Sequence, residues 1–164
     1  LTVRSETKTL RYMQKTPFYR LSAHDEKIVA QHHFTGHTHS ILYFLESISN
    51  PRCREYCQEL SGRVPAAKVF KTVILGVAPD PVPELAKAHA ELQLTFPLLS
   101  DTGSNMAASY GFVEKGLLRA PRLRPGVIVH DKYGIAYYIG VPENEQERPS
   151  WEDLEATLRR FPRG

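Results

Sequence analysis

The chain holds two cysteines, Cys53 and Cys57, four positions apart. Asn50-Pro51 sets a favoured N-cap residue before a favoured first helical residue, so a helix is expected from Pro51 to near Gly62, with Cys53 at its third position. Backbone N–H groups in the first turn of a helix lack intrahelical partners, and the helix dipole favours an anion there. A thiolate is such an anion. These surroundings take a cysteine pKa from about 8.5 down to roughly 3.5–7.5 and make the sulfur a nucleophile at neutral pH. Arg52 and Arg54 add positive charge beside it. The plainer fate of a free cysteine is that of a small buried hydrophobe. The order strand, loop, capped helix start, cysteine favours the reactive reading.

Cys57 shares a helical face with Cys53, and Tyr56, Leu60 and Val64 point the same way. At this spacing the Cα atoms lie about 6 Å apart, within disulfide reach, but side chains in an intact helix do not converge, so the first turns must unwind for a bond to form. A resolving cysteine and a buried core cysteine both stay open. A second group, His32, His33, His37 and His39, precedes a strand. Alternation puts His37 and His39 on one face, but no carboxylate or cysteine completes a ligand set, so no metal is expected.

The elements that must position Cys53 follow from pattern. Ile41–Leu45 is a compact apolar run suited to a buried central strand. Thr72–Ala78 is a second buried strand, and Val82–Leu92 an amphipathic helix with Leu85, Ala88 and Leu92 on one face. Phe18 and Leu21 open a short strand that folds back at His24-Asp25-Glu26 onto Ile28-Val29. Phe96–Leu99 is extended, Ser104–Tyr110 a short helix closed by Gly111, and 113–125 a basic loop exposing Leu117 and Leu118. Gly126–His130 and Ile135–Ile139 form a hairpin, and Trp151–Phe161 a closing helix. Strand and helix alternate, which argues an α/β class. Residues 1–16 show no period and read as an arm, leaving 17–164 as one domain.

Composition agrees. At 164 residues, 41% apolar, the chain has the length of one domain with a core that needs no disulfide or structural metal. Its 21 basic and 18 acidic residues give a net charge of +3, spread evenly, so nucleic acid is not an expected partner. No apolar run approaches about 18 residues, and Leu1–Thr16 alternates charged with apolar side chains. No membrane is expected, and the default location is cytoplasmic.

With these residues in view, the chain from about Pro17 to Phe161 resembles the peroxiredoxins of the alkyl hydroperoxide reductase and thiol-specific antioxidant group, most of all the bacterioferritin-comigratory type. YFLESISNPRC (43–53) is similar to the strand and loop leading to that family's peroxidatic cysteine. LGVAPDPVPELAKAHAELQLTFPLLSD (75–101) matches its next strand, helix and "FPLLSD" segment. MAASYGF (106–112) and RPGVIVHDKYG (124–134) resemble the stretch that includes its active-site arginine. The resemblance implies a thioredoxin-like fold, a central mixed sheet flanked by helices with an N-terminal β-hairpin. It implies a thiol-dependent peroxidase that reduces hydrogen peroxide or organic hydroperoxides, needs no cofactor, and is re-reduced by a thioredoxin-like protein or a small thiol, as a monomer or homodimer.

By the same resemblance Cys53 is the peroxidatic nucleophile, Arg124 holds the thiolate and polarises the peroxide, and Cys57 is the candidate resolving residue. The family's loop carries Pro and Thr where this chain has Glu46 and Asn50. Asn50 can supply its amide N–H to the site, cap the helix with its oxygen, or do both, since the amide has two ends. A carboxylate at Glu46 opposes a thiolate unless it points to solvent. Three other outcomes stay open: a thiol-disulfide oxidoreductase, a degenerate binding protein on the same fold, and a copper-thiolate chaperone of the Sco type. The last would need a histidine near Leu123, where Arg124 repels a cation, and His130 lies displaced along the strand.

Overall fold

The apolar run at 41–45 lies in the middle of an eight-stranded sheet. The computed structural model describes residues 2–3, 11–114, 118 and 120–162. In chain order the elements are β1 (Thr2–Val3), β2 (Arg20–Ala23), β3 (Ile28–Ala30), a 3-10 turn (Gln31–His33), β4 (His39–Phe44), α1 (Pro51–Ser61), α2 (Val64–Val69), β5 (Thr72–Ala78), α3 (Val82–Leu92), β6 (Leu98–Ser100), α4 (Asn105–Ser109), β7 (Val113–Glu114), β8 (Arg122–Leu123), β9 (Gly126–His130), β10 (Ala136–Val141) and α5 (Trp151–Arg159). The sheet order is β1-β10-β9-β4-β5-β6-β2-β3, and β7 pairs with β8 separately. β4, β5 and β6 run parallel, whereas β4 and β9 pair antiparallel. The fold is thus a single thioredoxin-like α/β domain with a mixed sheet.

Every residue of β4 is buried, so its alternation sorts side chains between two cores. Ile41 and Tyr43 face the core that takes Cys53, Tyr56, Cys57 and Leu60 from α1, Leu85 and Ala88 from α3, and Leu154 and Leu158 from α5. Leu42 and Phe44 face the other, with Met106, Ala107, Tyr110 and Phe112. Tyr43 therefore points toward the face that carries both cysteines. Among the described residues no helix is long and apolar enough to cross a membrane.

Local signals set the boundaries that were expected. Asn50 caps α1 and Pro51 starts it; β5 and α3 span the expected residues. Three features differ from the sequence reading. The stretch after Gly62 forms α2, because Pro65 restarts a turn that the gap after α1 had hidden. The basic loop 113–125 contains the β7–β8 ladder, Val113 opposite Leu123 and Glu114 opposite Arg122, too short to leave a period. Leu118 is fully exposed, and Leu117 lies outside the described residues. The arm contributes β1 to the sheet edge. Its end is tied down by the Thr16 N–H and hydroxyl, which donate to the Gly134 carbonyl at 2.7 and 2.8 Å.

Gly126, at the start of β9, allows a close approach: a Cβ there would overlap the ring of Phe112, which is fully buried. Replacing Gly126 by Ala must move that ring in a packed core. Gly126→Ala is expected to destabilise the fold by about 1–3 kcal/mol, read as a lower midpoint at unchanged slope in urea denaturation; an unchanged midpoint would show that the ring is free to shift.

Candidate active site

The loop from Glu46 to Asn50 carries the chain from β4 into α1, and Asp80 on the β5–α3 connection fixes its shape. The Ser47 hydroxyl donates to Asp80 Oδ2 at 3.0 Å and the Ile48 N–H to Oδ1 at 2.8 Å. Asn50 Oδ1 then accepts the N–H groups of Arg52, at 2.9 Å, and Cys53, at 3.1 Å, while the Asn50 carbonyl takes that of Arg54 at 3.0 Å. Asn50 is a helix cap worth about 1 kcal/mol. Pro51 has no N–H, so the donors of this first turn are used by Asn50 and none is left to point at the sulfur.

The group beside the sulfur is Arg148. Its Nη2 lies 3.8 Å from Cys53 Sγ, and its Nε donates to the Tyr43 hydroxyl at 3.0 Å. Its Nη1 donates to the carbonyls of Glu145, at 3.0 Å, and Glu147, at 2.8 Å. Arg148 is only 8% exposed, Cys53 has no exposed surface, and among the described residues no carboxylate pairs with this guanidinium. Burial works against the charge of Arg148, but Tyr43 and Cys53 together more than offset it. Burial, and then Cys53 beside it, push the Tyr43 phenol well above its ordinary range, so Tyr43 stays a neutral hydroxyl. At 3.8 Å, a guanidinium and a thiolate attract by roughly 4 kcal/mol before desolvation, at an effective dielectric near 20.

The other cations expected near the sulfur are occupied elsewhere. Arg52 reaches Glu55 at 2.8 Å, Glu59 at 3.4 Å and the Gln146 carbonyl at 2.6 Å; Arg54 reaches Glu91 at 2.8 Å. Arg124 Nη1 lies 3.5 Å from Glu114 and its Nη2 donates to the Pro142 carbonyl at 3.4 Å, with the Arg124 side chain 40% exposed. A pair as open as Arg124–Glu114 is worth at most about 1 kcal/mol. Arg124 and the half-buried Glu46 line one pocket of about 180 Å³ together with Glu114, Glu143 and Glu145.

Cys57 sits one turn along α1, fully buried, and its thiol is pushed well up, first by burial and then by Cys53. Both cysteines are free thiols. α1 is held against the 145–149 loop at three points: Arg52 Nε to the Gln146 carbonyl at 2.6 Å, the Tyr56 hydroxyl to the Pro149 carbonyl at 2.8 Å, and Arg148 to Cys53. Of the four histidines, the rings of His32 and His33 meet edge-on at 4.5 Å. His33 Nδ1 accepts the Ala30 N–H at 3.3 Å, His39 Nδ1 the Lys132 N–H at 2.8 Å, and His32 stacks on Phe18. No group of three or more metal-binding side chains occurs among the described residues. His130 is buried, its Nδ1 2.8 Å from the Asp131 carbonyl oxygen.

Sequence reasoning missed Arg148 and Tyr43. Arg148 ends a run, Glu143–Arg148, that reads as solvated surface, and it meets Cys53 across 95 positions. Tyr43 did carry a signal, because a hydroxyl in a fully buried strand requires a partner.

A family model, AhpC/TSA family, matches residues 13–139. The Haemophilus influenzae protein described as "Putative peroxiredoxin bcp" is 29% identical over 97 residues, 59% of this chain and 62% of that protein, so the matched stretch spans less than two thirds of its relative. Peroxidoxin BcpB from Mycobacterium tuberculosis has a similar structure, with a TM-score of 0.82 at 18% identity, covering 93% of this chain and 98% of that one. A thiol peroxidase from Chromobacterium violaceum superposes with a TM-score of 0.77 at 18% identity, over 96% and 91% of the two chains.

Both cysteines are fully buried, and of the two Cys53 has the guanidinium of Arg148 beside it. In the folded protein at mildly alkaline pH, Cys57 is expected to stay unmodified by iodoacetamide and to react fully once guanidinium chloride unfolds the chain, as read by peptide mass spectrometry. Modification of Cys57 at equal rates in both states would show that α1 opens freely.

Proposed function

Because the chain belongs to the AhpC/TSA family, whose redox chemistry is its general role, we propose that it is a thiol peroxidase acting on hydrogen peroxide or organic hydroperoxides through Cys53. The Cys53 thiolate attacks one oxygen of the O–O bond. The S–O bond forms as the O–O bond breaks, the sulfur is oxidised to a sulfenic acid, and the departing alkoxide or hydroxide takes a proton from water. The observation that carries the reading is a buried guanidinium with the Cys53 sulfur among its few partners and no carboxylate pairing with it among the described residues. In this reading Arg148 holds the thiolate, Tyr43 orients Arg148, Asn50 sets the helix that presents the sulfur, and Arg124 lines a separate pocket with Glu46. A fixed cation beside the sulfur also opposes a copper ion there, which favours peroxide chemistry over a copper-thiolate role.

The sulfenic acid is then condensed with a thiol, releasing water and leaving a disulfide. Cys57 is assigned that step, after the first turns of α1 unwind and its contacts with the 145–149 loop break. A thioredoxin-like dithiol or a small thiol returns both cysteines to thiols by exchange.

Stopped-flow kinetics with hydrogen peroxide test the site. Cys53→Ser is expected to abolish turnover, and Arg148→Ala to lower the second-order rate by about 100-fold or more, the usual cost of losing one preorganised donor at a reacting centre. Arg124→Ala is expected to cost about tenfold or less, the size set by an open, solvent-screened charge. A larger loss at Arg124 than at Arg148 would reassign the guanidinium. One equivalent of peroxide should give an intramolecular disulfide; a persisting dimedone-reactive sulfenic acid would pass the second step to an outside thiol.

A further inference from the structure

β5 pairs with β4 from Thr72 to Val77, but with β6 only from Gly76 onward, where the Gly76 N–H donates to the Pro97 carbonyl at 3.0 Å. Before that point the two segments part, and a cavity of about 470 Å³ opens between Val73 on one side and Phe96 on the other. Phe34 and Val64 add apolar walls, and the exposed Lys68 and Lys71 stand at its margin. Among the described residues no aspartate or glutamate lines it. Neither lysine ammonium forms an ion pair among the described residues. The charge pattern is the reverse of the pocket beside Arg124, which four glutamates share.

From this combination we infer that the cavity binds a single-chain amphiphilic carboxylate, a fatty acid of medium length, with the acyl chain against Phe34, Val64, Val73 and Phe96 and the carboxylate between Lys68 and Lys71. Ligand sites of this kind are mostly apolar with a few convergent polar groups, in volumes of about 300–1,000 Å³. At about 30 Å³ per heavy atom, the share of a water in the liquid, the 470 Å³ cavity holds roughly fifteen, enough for one acyl chain and not for two. Two ammonium groups with three rotatable donors each suit a carboxylate and repel a cationic head. The site lies at the start of β4 and β5, whereas Cys53 follows the end of β4. Cys53 does not line the cavity, although Ile74 and Phe96 share a buried core with it. Binding is read directly and needs no thiol chemistry, so its test does not depend on that reading.

The test is calorimetric titration of the full chain with sodium dodecanoate below its micelle-forming concentration, alongside ¹⁵N–¹H spectra. A saturable one-to-one isotherm is expected, with shifted amides clustered at 34, 64, 68, 71–74, 95 and 96. The surface double variant Lys68→Gln, Lys71→Gln should bind at least about tenfold more weakly, the size of effect expected from losing a charged head contact. Dodecyltrimethylammonium, with the same tail and opposite charge, should be weaker by a similar factor. Absence of saturable binding, equal binding of the two amphiphiles, insensitivity to the lysine changes, or shifts centred on the Glu46–Cys53 loop would each overturn the assignment.

Discussion

A guanidinium removed from water loses several kcal/mol of hydration, and a carboxylate is the usual compensation. Among the described residues Arg148 has no such partner. Its donors are taken by two loop carbonyls, one neutral phenol and the sulfur of Cys53. The carbonyls and phenol fix where the fork points, but they carry no net charge. In the proposed peroxidase a thiolate at Cys53 would balance the cation, so the buried arginine and the sulfur would each make the other tenable.

The rest of the fold serves that contact from both sides. β4 delivers Tyr43 to the face on which α1 lies, and the cap by Asn50 starts α1 where Cys53 turns inward. The loop that carries Arg148 is pinned to α1 through Arg52 and Tyr56 and continues through Pro149 into the Ser150 cap of α5. Loop and helix therefore hold each other. In the proposed cycle, unwinding the first turns of α1 to bring Cys57 toward Cys53 would also release Arg148, so the arrangement for attack on peroxide and the one for disulfide formation would exclude each other. Such alternation draws on local rather than global stability.

What the sequence made legible was local. Asn50-Pro51 marks the start of α1, and the apolar runs at 41–45 and 72–78 mark two central strands because both faces of each are covered. The family motifs place Cys53, and the structure keeps it buried at the third position of α1. What could not be read was long-range. Glu143–Arg148 looks like exposed loop in any local window, and its last residue turns inward where the chain passes between α1 and α5, which share one face of the sheet. Arg124, assigned to the sulfur by resemblance, instead meets Glu114 and Pro142, because the short β7–β8 ladder sets Glu114 opposite its neighbour Arg122. Asn50 takes the cap with its oxygen, which accepts from two backbone N–H groups.

The central claim is that Arg148, not Arg124, supports the Cys53 thiolate. It is tested most directly by the pH profile of Cys53 alkylation in a Cys57→Ser background, with Arg148 or Arg124 replaced by Ala in turn. The account predicts that the profile moves to higher pH when Arg148 is lost and stays in place when Arg124 is lost. A profile unmoved by Arg148→Ala, or moved by Arg124→Ala alone, would contradict it.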